Sequence, residues 1–292
     1  MSQFTMATER TCLVDAPEVE LVREIEADLV PTGCHGWPGA KVAARRLASA
    51  GLGGDFHSVI PGSGERYSLV VGTVAGPGLF AALGKAVLSS AARKLGRTRQ
   101  STAAMMSHLQ GLLRRINVDL RNQRVTCALF HGVVDQHPGT LEYCAAGPCH
   151  AFVWTRGGEL LDLRSTGPAL GAREDVECES QSYDVHGLQR LIVFSEGLTT
   201  ASCASGEPFG LARGRCLVTD TVRLPIEEQV DAIVRALREH VGTNSMFTED
   251  ATVFVTEFDE GAASREAFEA EAWLRSFKPD TGEVPDSSVY LG

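Results

Sequence analysis

VTCALFHGVVDQHPGTLEYCAAGPCHAFVWTRGGELLDL, residues 125–163, is a succession of short apolar runs broken by turn residues. Its runs VTCALFHGVVD, LEYCAAG, AFVWT and LLDL are interrupted by QHPG and RGGE, a spacing that predicts strands joined by tight turns in an antiparallel meander. On the N-terminal side, DFHSVI, the turn PGSGE and the apolar run YSLVVGTVAG predict a hairpin whose second strand is buried on both faces. Beyond Gly78, LFAALGKAVLSSAARKL and SHLQGLLRRINVDLRNQ carry helical periodicity. On the C-terminal side, VECESQSYDV and LQRLIVFS predict strands, IEEQVDAIVRALREHV a helix and ATVFVTEF a closing strand. Strands, helices, many strands, a helix and a strand, in that order, argue for an α+β domain of antiparallel sheets covered by helices.

The periphery reads differently. Val19, Leu21, Val22, Ile25 and Leu29 recur at helical intervals until Pro31, which predicts a short amphipathic lead-in within residues 1–30. Such a helix can pair two chains into a homodimer, and it can equally cover the edge of its own domain. Residues 258–292 are acidic and end in a Pro/Gly/Ser-containing stretch, predicting a helix and a loose tail after a domain over 31–257.

With 292 residues, 43% of them hydrophobic and 22% charged, the chain has the composition of a folded globular protein. Its formal charge of −10 disfavours nucleic acid and anionic membrane as partners. It carries no apolar run of the roughly 18 residues needed to cross a bilayer, and MSQFTMATER has no secretion-signal pattern, so a cytoplasmic location is expected. The eight cysteines form no C-x-x-C pair, which makes reduced structural thiols the default.

Four acidic points fall where strands meet turns: Asp55 after Gly53 and Gly54, Glu196 in FSEG, and the adjacent Glu249 and Asp250 before the last strand. Hard divalent cations take oxygen ligands from several elements, so carboxylates at strand ends suit Mg²⁺ or Mn²⁺. The same residues suit a merely solvated surface, and spacing alone leaves both readings open.

The phrases around these residues narrow the choice. GGDFHSVI, VVGTVAGPGLFAAL, LEYCAAGPCHAFVW, STGPALG, LIVFSEGLTTA, GEPFG and EDATVFV stand in the order and approximate spacing of the PPM metal-dependent protein phosphatases, and the chain resembles their SpoIIE-like bacterial branch over about residues 30–257. The resemblance implies a four-layer α-β-β-α sandwich of two antiparallel sheets flanked by helices. It also implies two Mn²⁺ or Mg²⁺ ions holding a hydroxide for attack on phosphoserine or phosphothreonine. The partner it implies is a phosphorylated signalling protein, an anti-anti-sigma factor of the STAS-domain kind.

Site residues carry over one at a time. Asp55 matches the aspartate of the family's GGD, while Thr73 sits where GDVSG supplies the aspartate that touches both metals. Val74 follows it and would offer its backbone carbonyl. Glu196 replaces the aspartate of TDG, Glu249 replaces the first aspartate of DDIT, and Asp250 and Thr252 match that motif. Each Asp→Glu change keeps charge but moves the oxygens by a methylene, and Thr73 is neutral. The resemblance thus implies a phosphatase with a degraded site for one or two ions and weak or altered activity. The alternative is a pseudophosphatase that binds a partner-switching protein without hydrolysing it.

Other candidates read as structural. His57 beside Asp55 suits a ligand or an ordinary strand residue. Gly72, Gly76 and Gly78 lack a phosphate-loop pattern, Ser195 lacks the G-x-S-x-G elbow, and Cys149 and His150 are strand neighbours that point to opposite faces.

Overall fold

The computed structural model of the chain describes residues 33–259 apart from 38, 50–52, 64, 77–78, 119, 121–123, 137–138 and 243–246. The expected lead-in helix and acidic tail lie outside the described residues. Two antiparallel sheets form the centre. One runs β3 (Asp55–Pro61), β4 (Arg66–Ala75), β5 (Thr126–Asp135), β6 (Thr140–Ala146) and β9 (Gln181–Asp184). The other has the order β1 (Gly33–Trp37), β2 (Ala40–Leu47), β11 (Ala251–Phe258), β10 (Leu188–Phe194), β7 (His150–Thr155) and β8 (Leu160–Leu163).

Three apolar layers hold the sandwich together. Between the sheets lie Leu69, Phe130, Tyr143, Leu191, Val193 and Phe254, with the Phe130 and Tyr143 rings stacked at 5.8 Å. Helices α1 (Leu79–Leu95) and α2 (Thr102–Val118) cover the first sheet through Leu88, Met105, Leu109 and Leu113. A short helix α3 (Glu196–Thr200) follows β10; α4 (Leu211–Thr221) and α5 (Ile226–Val241) then cover the second sheet through Val218, Val230, Ile233 and Leu237. The α-β-β-α sandwich is therefore present. No described helix is long and apolar enough to cross a membrane.

Two features differ from the sequence reading. Residues 125–163 do not form one meander: β5 and β6 pair in one sheet, and after Gly147 and Pro148 the chain passes to the other, where β7 pairs β8 and β10. Hairpin spacing specifies turns and says nothing of which sheet the next strand joins. The second difference is β2, AKVAARRL, whose Ala, Lys and Arg are weak strand formers. Tertiary pairing with β1 and β11 overrides that preference.

Candidate functional site

Alternation along the strands assembles the site. On β3 and β4 the odd-numbered residues face the other sheet, so Asp55 and its ladder partner Thr73 both point into the space between sheets. From the opposite sheet β11 sends in Thr252, just below Phe254, and the preceding Asp250 continues the same face. Ser195, at the end of β10, and Arg46, on β2, complete a polar plug at one end of the sandwich, where the apolar inter-sheet core stops.

Both carboxylate oxygens of Asp55 are occupied by protein hydroxyls. Thr73 Oγ1 donates to Oδ1 and Thr252 Oγ1 donates to Oδ2, each at 2.6 Å. Burial between the sheets, reinforced by the nearby Asp250 charge, pushes the Asp55 carboxyl up to about 7, against the opposing pull of these hydrogen bonds.

Asp250, expected among the metal ligands, is a buried structural clamp. Its Oδ2 accepts from Arg46 Nη1 at 3.2 Å and from the Asp55 backbone N–H at 3.3 Å, while Oδ1 accepts the Ser49 N–H at 2.8 Å. It thereby ties β2, the entry to β3 and the start of β11 together. The side chains are 10% and 1% exposed for Arg46 and Asp250, so deleting one strands the other charge in a dry place. Arg46→Ala is expected to cost about 3 kcal/mol in urea unfolding at neutral pH, whereas a loss below about 1 kcal/mol would mean the pair is screened like a surface bridge.

The glycines at 53 and 197 make room for this clamp. A Cβ on Gly53 would run into the Asp250 carboxylate, and one on Gly197 would run into the Asp250 carbonyl. Ser195 Oγ accepts the Thr252 N–H at 2.9 Å and its own N–H donates to the Thr252 carbonyl at 3.1 Å, fixing the turn into α3. Ser195 is thus a buried strap between β10 and β11.

Glu196 and Glu249 stand outside the plug. Glu196 is half-buried at the start of α3, and Glu249 is exposed one residue before Asp250. Partial burial first, and the neighbouring Glu249 charge second, raise the Glu196 carboxyl above its ordinary value. The Val74 carbonyl stands directly over Gly54, whose own carbonyl accepts the Val74 N–H at 3.0 Å. His57 is buried between the sheets against Phe254, ring centroids 5.7 Å apart. Cys149 is buried, its thiol pushed up to about 12 chiefly by burial, while His150 turns the other way into a cleft.

That cleft, of about 530 Å³, opens one strand away from Glu196: His150 pairs with Phe194 in the β7–β10 ladder. Gly147, His150, Asp162, Arg164, Leu211 and Arg215 line it. Arg215 pairs with Asp162 and lies over the Phe152 ring, 5.5 Å from its centroid. Arg164 is exposed, and among the described residues its guanidinium has no hydrogen bond or ion pair. Sequence reasoning missed this cleft, because it is built only when β8 and α4 meet.

A centre for two ions is what the resemblance implies. Among the described residues no three His, Cys, Asp or Glu side chains gather in a way that could hold a metal ion. Asp55 accepts Thr73 where a bridging carboxylate would stand, and Asp250 is committed to three protein donors. These residues do not fit two ions.

A model of the family described as stage II sporulation protein E matches residues 63–259. The chain belongs to the SpoIIE family. Within the SpoIIE relatives it is 25% identical to the phosphoserine phosphatase RsbP of Bacillus subtilis over 203 residues, 69% of this chain and 48% of that protein. It is 30% identical to protein IcfG of a Synechocystis strain over 128 residues, 44% of this chain and 20% of that one. The chain thus spans about half and a fifth of these two curated relatives. Among solved structures, the RsbU and RsbW domains of a Mycobacterium tuberculosis protein superpose with a TM-score of 0.63 at 21% identity, covering 77% of this chain and 61% of that one. SpoIIE membership and the sandwich are therefore settled by independent comparisons.

Proposed function

We propose that this chain is a serine/threonine protein phosphatase domain acting on a phosphorylated signalling protein, with a cation site smaller than the family's and correspondingly weak turnover. The observation that carries it is the set of carboxylates retained at one end of a SpoIIE-family sandwich: Asp55 opening β3, Glu196 after β10 and Glu249 before β11. Glu196 and Glu249 fit one Mg²⁺ or Mn²⁺, since such an ion is commonly bound by one or two carboxylates, waters and a substrate phosphate. Partial burial raises the Glu196 carboxyl, and the Glu249 charge beside it adds to the rise. When bound, a divalent cation there supplies positive charge to phosphoryl oxygens and lowers the pKa of a water it holds.

The chain's own residues do the rest. Arg46 neutralises Asp250 and keeps the strand ends in register, and Ser195 orients the turn that sends Glu196 outward. Asp55, whose carboxyl is raised to about 7, holds or releases a proton within the polar plug. The cleft beside Glu196 seats the substrate segment that flanks the phosphoresidue, with Arg164 offered to its anionic groups.

The RsbP relative is named a phosphoserine phosphatase, which supports phosphoserine as the group removed, and a phosphorylated STAS-domain protein is the substrate we assign. The stripe of Phe80, Leu83 and Val87, exposed at three- and four-residue spacing on α1, also favours a protein partner. Arg164→Glu is expected to raise KM for the phosphorylated STAS protein about tenfold, a loss near 1.4 kcal/mol, and to leave hydrolysis of p-nitrophenyl phosphate unchanged. Equal KM values for the protein substrate would remove Arg164 from recognition.

A specific observation favours a second reading. Thr73 and Thr252 satisfy Asp55 with hydroxyl protons, closing the plug without any metal. A pseudophosphatase that sequesters its partner would have this arrangement. Calorimetric titration with Mn²⁺ decides between the two. Micromolar binding together with chelator-sensitive phosphoserine hydrolysis supports the phosphatase, and absence of both supports the binding protein.

A further inference from the structure

Cys144 and Cys178 meet on the helix-facing side of the first sheet, away from the carboxylate site. Cys144 is buried on β6, and its Sγ lies 3.3 Å from Thr166 Oγ1. Cys178 is half-buried in the strand-free segment before β9, so close to Gly167, the residue after Thr166, that a Cβ there would stand 2.6 Å from Cys178 Sγ. Both sulfurs therefore flank the same Thr166–Gly167 peptide, and Gly167 is itself bridged to Ala146 at the end of β6. Both cysteines pack in the apolar cluster between the first sheet and its covering helices.

We propose that Cys144 and Cys178 form a reversible intramolecular disulfide, a peroxide-sensitive modification site on this fold. Two other described cysteines are poorer candidates. Cys127 and Cys149 are buried, and burial pushes both thiols up, so their thiolates are scarce. In the Cys144–Cys178 pair the thiol of one supports the thiolate of the other, which brings the first proton off Cys144 below the usual thiol value. The charge belongs to the pair, and Cys178 is the sulfur solvent reaches.

The oxidant is hydrogen peroxide. A pair thiolate attacks a peroxide oxygen, the O–O bond breaks, and the departing hydroxide takes a proton to become water, leaving a sulfenic acid. The second thiol attacks that sulfur, the S–S bond forms, and the sulfenic oxygen leaves as a second water. Two thiols lose two electrons and two protons, and the peroxide is reduced to two waters. Cys178 lies outside any strand, so the backbone can shift to accommodate the bond. The loop it closes contains β7, β8 and the cleft residues His150, Asp162 and Arg164.

The full chain, treated with hydrogen peroxide, quenched with catalase and alkylated, is expected to lose two hydrogens in mass. Digestion then yields the Cys144 peptide linked to the Cys178 peptide, and dithiothreitol restores both thiols. Oxidation should raise the Tm of the wild type and leave that of Cys178→Ser unchanged; Cys144→Ala serves as the second control, its native fold checked by circular dichroism. Free, alkylated Cys144 and Cys178 after peroxide, a sulfinic acid on Cys178 without a cross-link, or linkage among other cysteines would each overturn the proposal.

Discussion

Replacing Thr73 with aspartate should produce a protein that is less stable without metal and markedly better at binding it. Thr73 Oγ1 now gives its proton to Asp55 Oδ1 across 2.6 Å, and Thr73→Asp puts a carboxylate in place of that donor. Two carboxylates at such a distance cannot both ionise in a buried space already strained by Asp250. The metal-free variant should therefore lose about 2 kcal/mol at pH 8, less the cost already carried by Asp55, and should titrate with one proton shared by the pair. Added Mn²⁺ removes the repulsion, so affinity is expected to rise about a hundredfold and the Tm to climb with metal concentration. Phosphoserine hydrolysis should increase by roughly the factor of 100 that one well-placed charge contributes in an active site. A variant with wild-type affinity and activity would mean that position 73 is not what limits this site. An inert wild type that gains activity in the variant would assign the chain to the pseudophosphatase reading.

Asp55→Asn is the second large effect, and its sign is opposite to that of most buried substitutions. The carboxyl is raised from 3.8 to about 7, so the native state resists its ionisation and the chain carries a penalty that is absent below pH 4 and complete above pH 7. Three pKa units correspond to about 4 kcal/mol at most. Asparagine removes this penalty but can accept only one of the two threonine protons, which returns about 1 to 2 kcal/mol. The net expectation is a gain of about 2 kcal/mol at pH 8 and a loss of about 1 kcal/mol at pH 4, read from urea midpoints at the two pH values. Destabilisation at both pH values would mean that Asp55 is held ionised by its neighbours and that the threonines outweigh desolvation. A chain that keeps so costly a carboxylate has traded stability for whatever Asp55 does.

Much of this was legible beforehand because period and turn chemistry are local. Residues 79–95, 226–241 and 251–258 form the elements their periodicity predicts, and DFHSVI and YSLVVGTVAG pair as the hairpin their turn predicts. The start of α2 lay at Thr102, five residues before the expected one, since TAAMM carries no marked polar face. What stayed hidden depends on partners far away in sequence. Arg46 sits in an Ala/Arg stretch that gives no sign of a strand, and only pairing with β11 brings it to Asp250. One signal was available and unused. Strand alternation carried back from Thr252 places Asp250 inward and Glu249 outward, which separates the clamp from the ligand candidate without any structure.

The position of β11 in its sheet has a consequence for how the molecule comes into being. This strand lies between β2 and β10, so it joins pieces that are far apart in sequence. Until residue 258 has left the ribosome, β1 and β2 have no neighbour on that side and the second sheet exists as two fragments. Asp250 and Thr252 arrive on the same strand, so the polar plug is assembled in the step that closes the sheet. Nascent chains halted before β11 should expose the edges of β2 and β10 together, and should depend on chaperones far more than chains halted just after it.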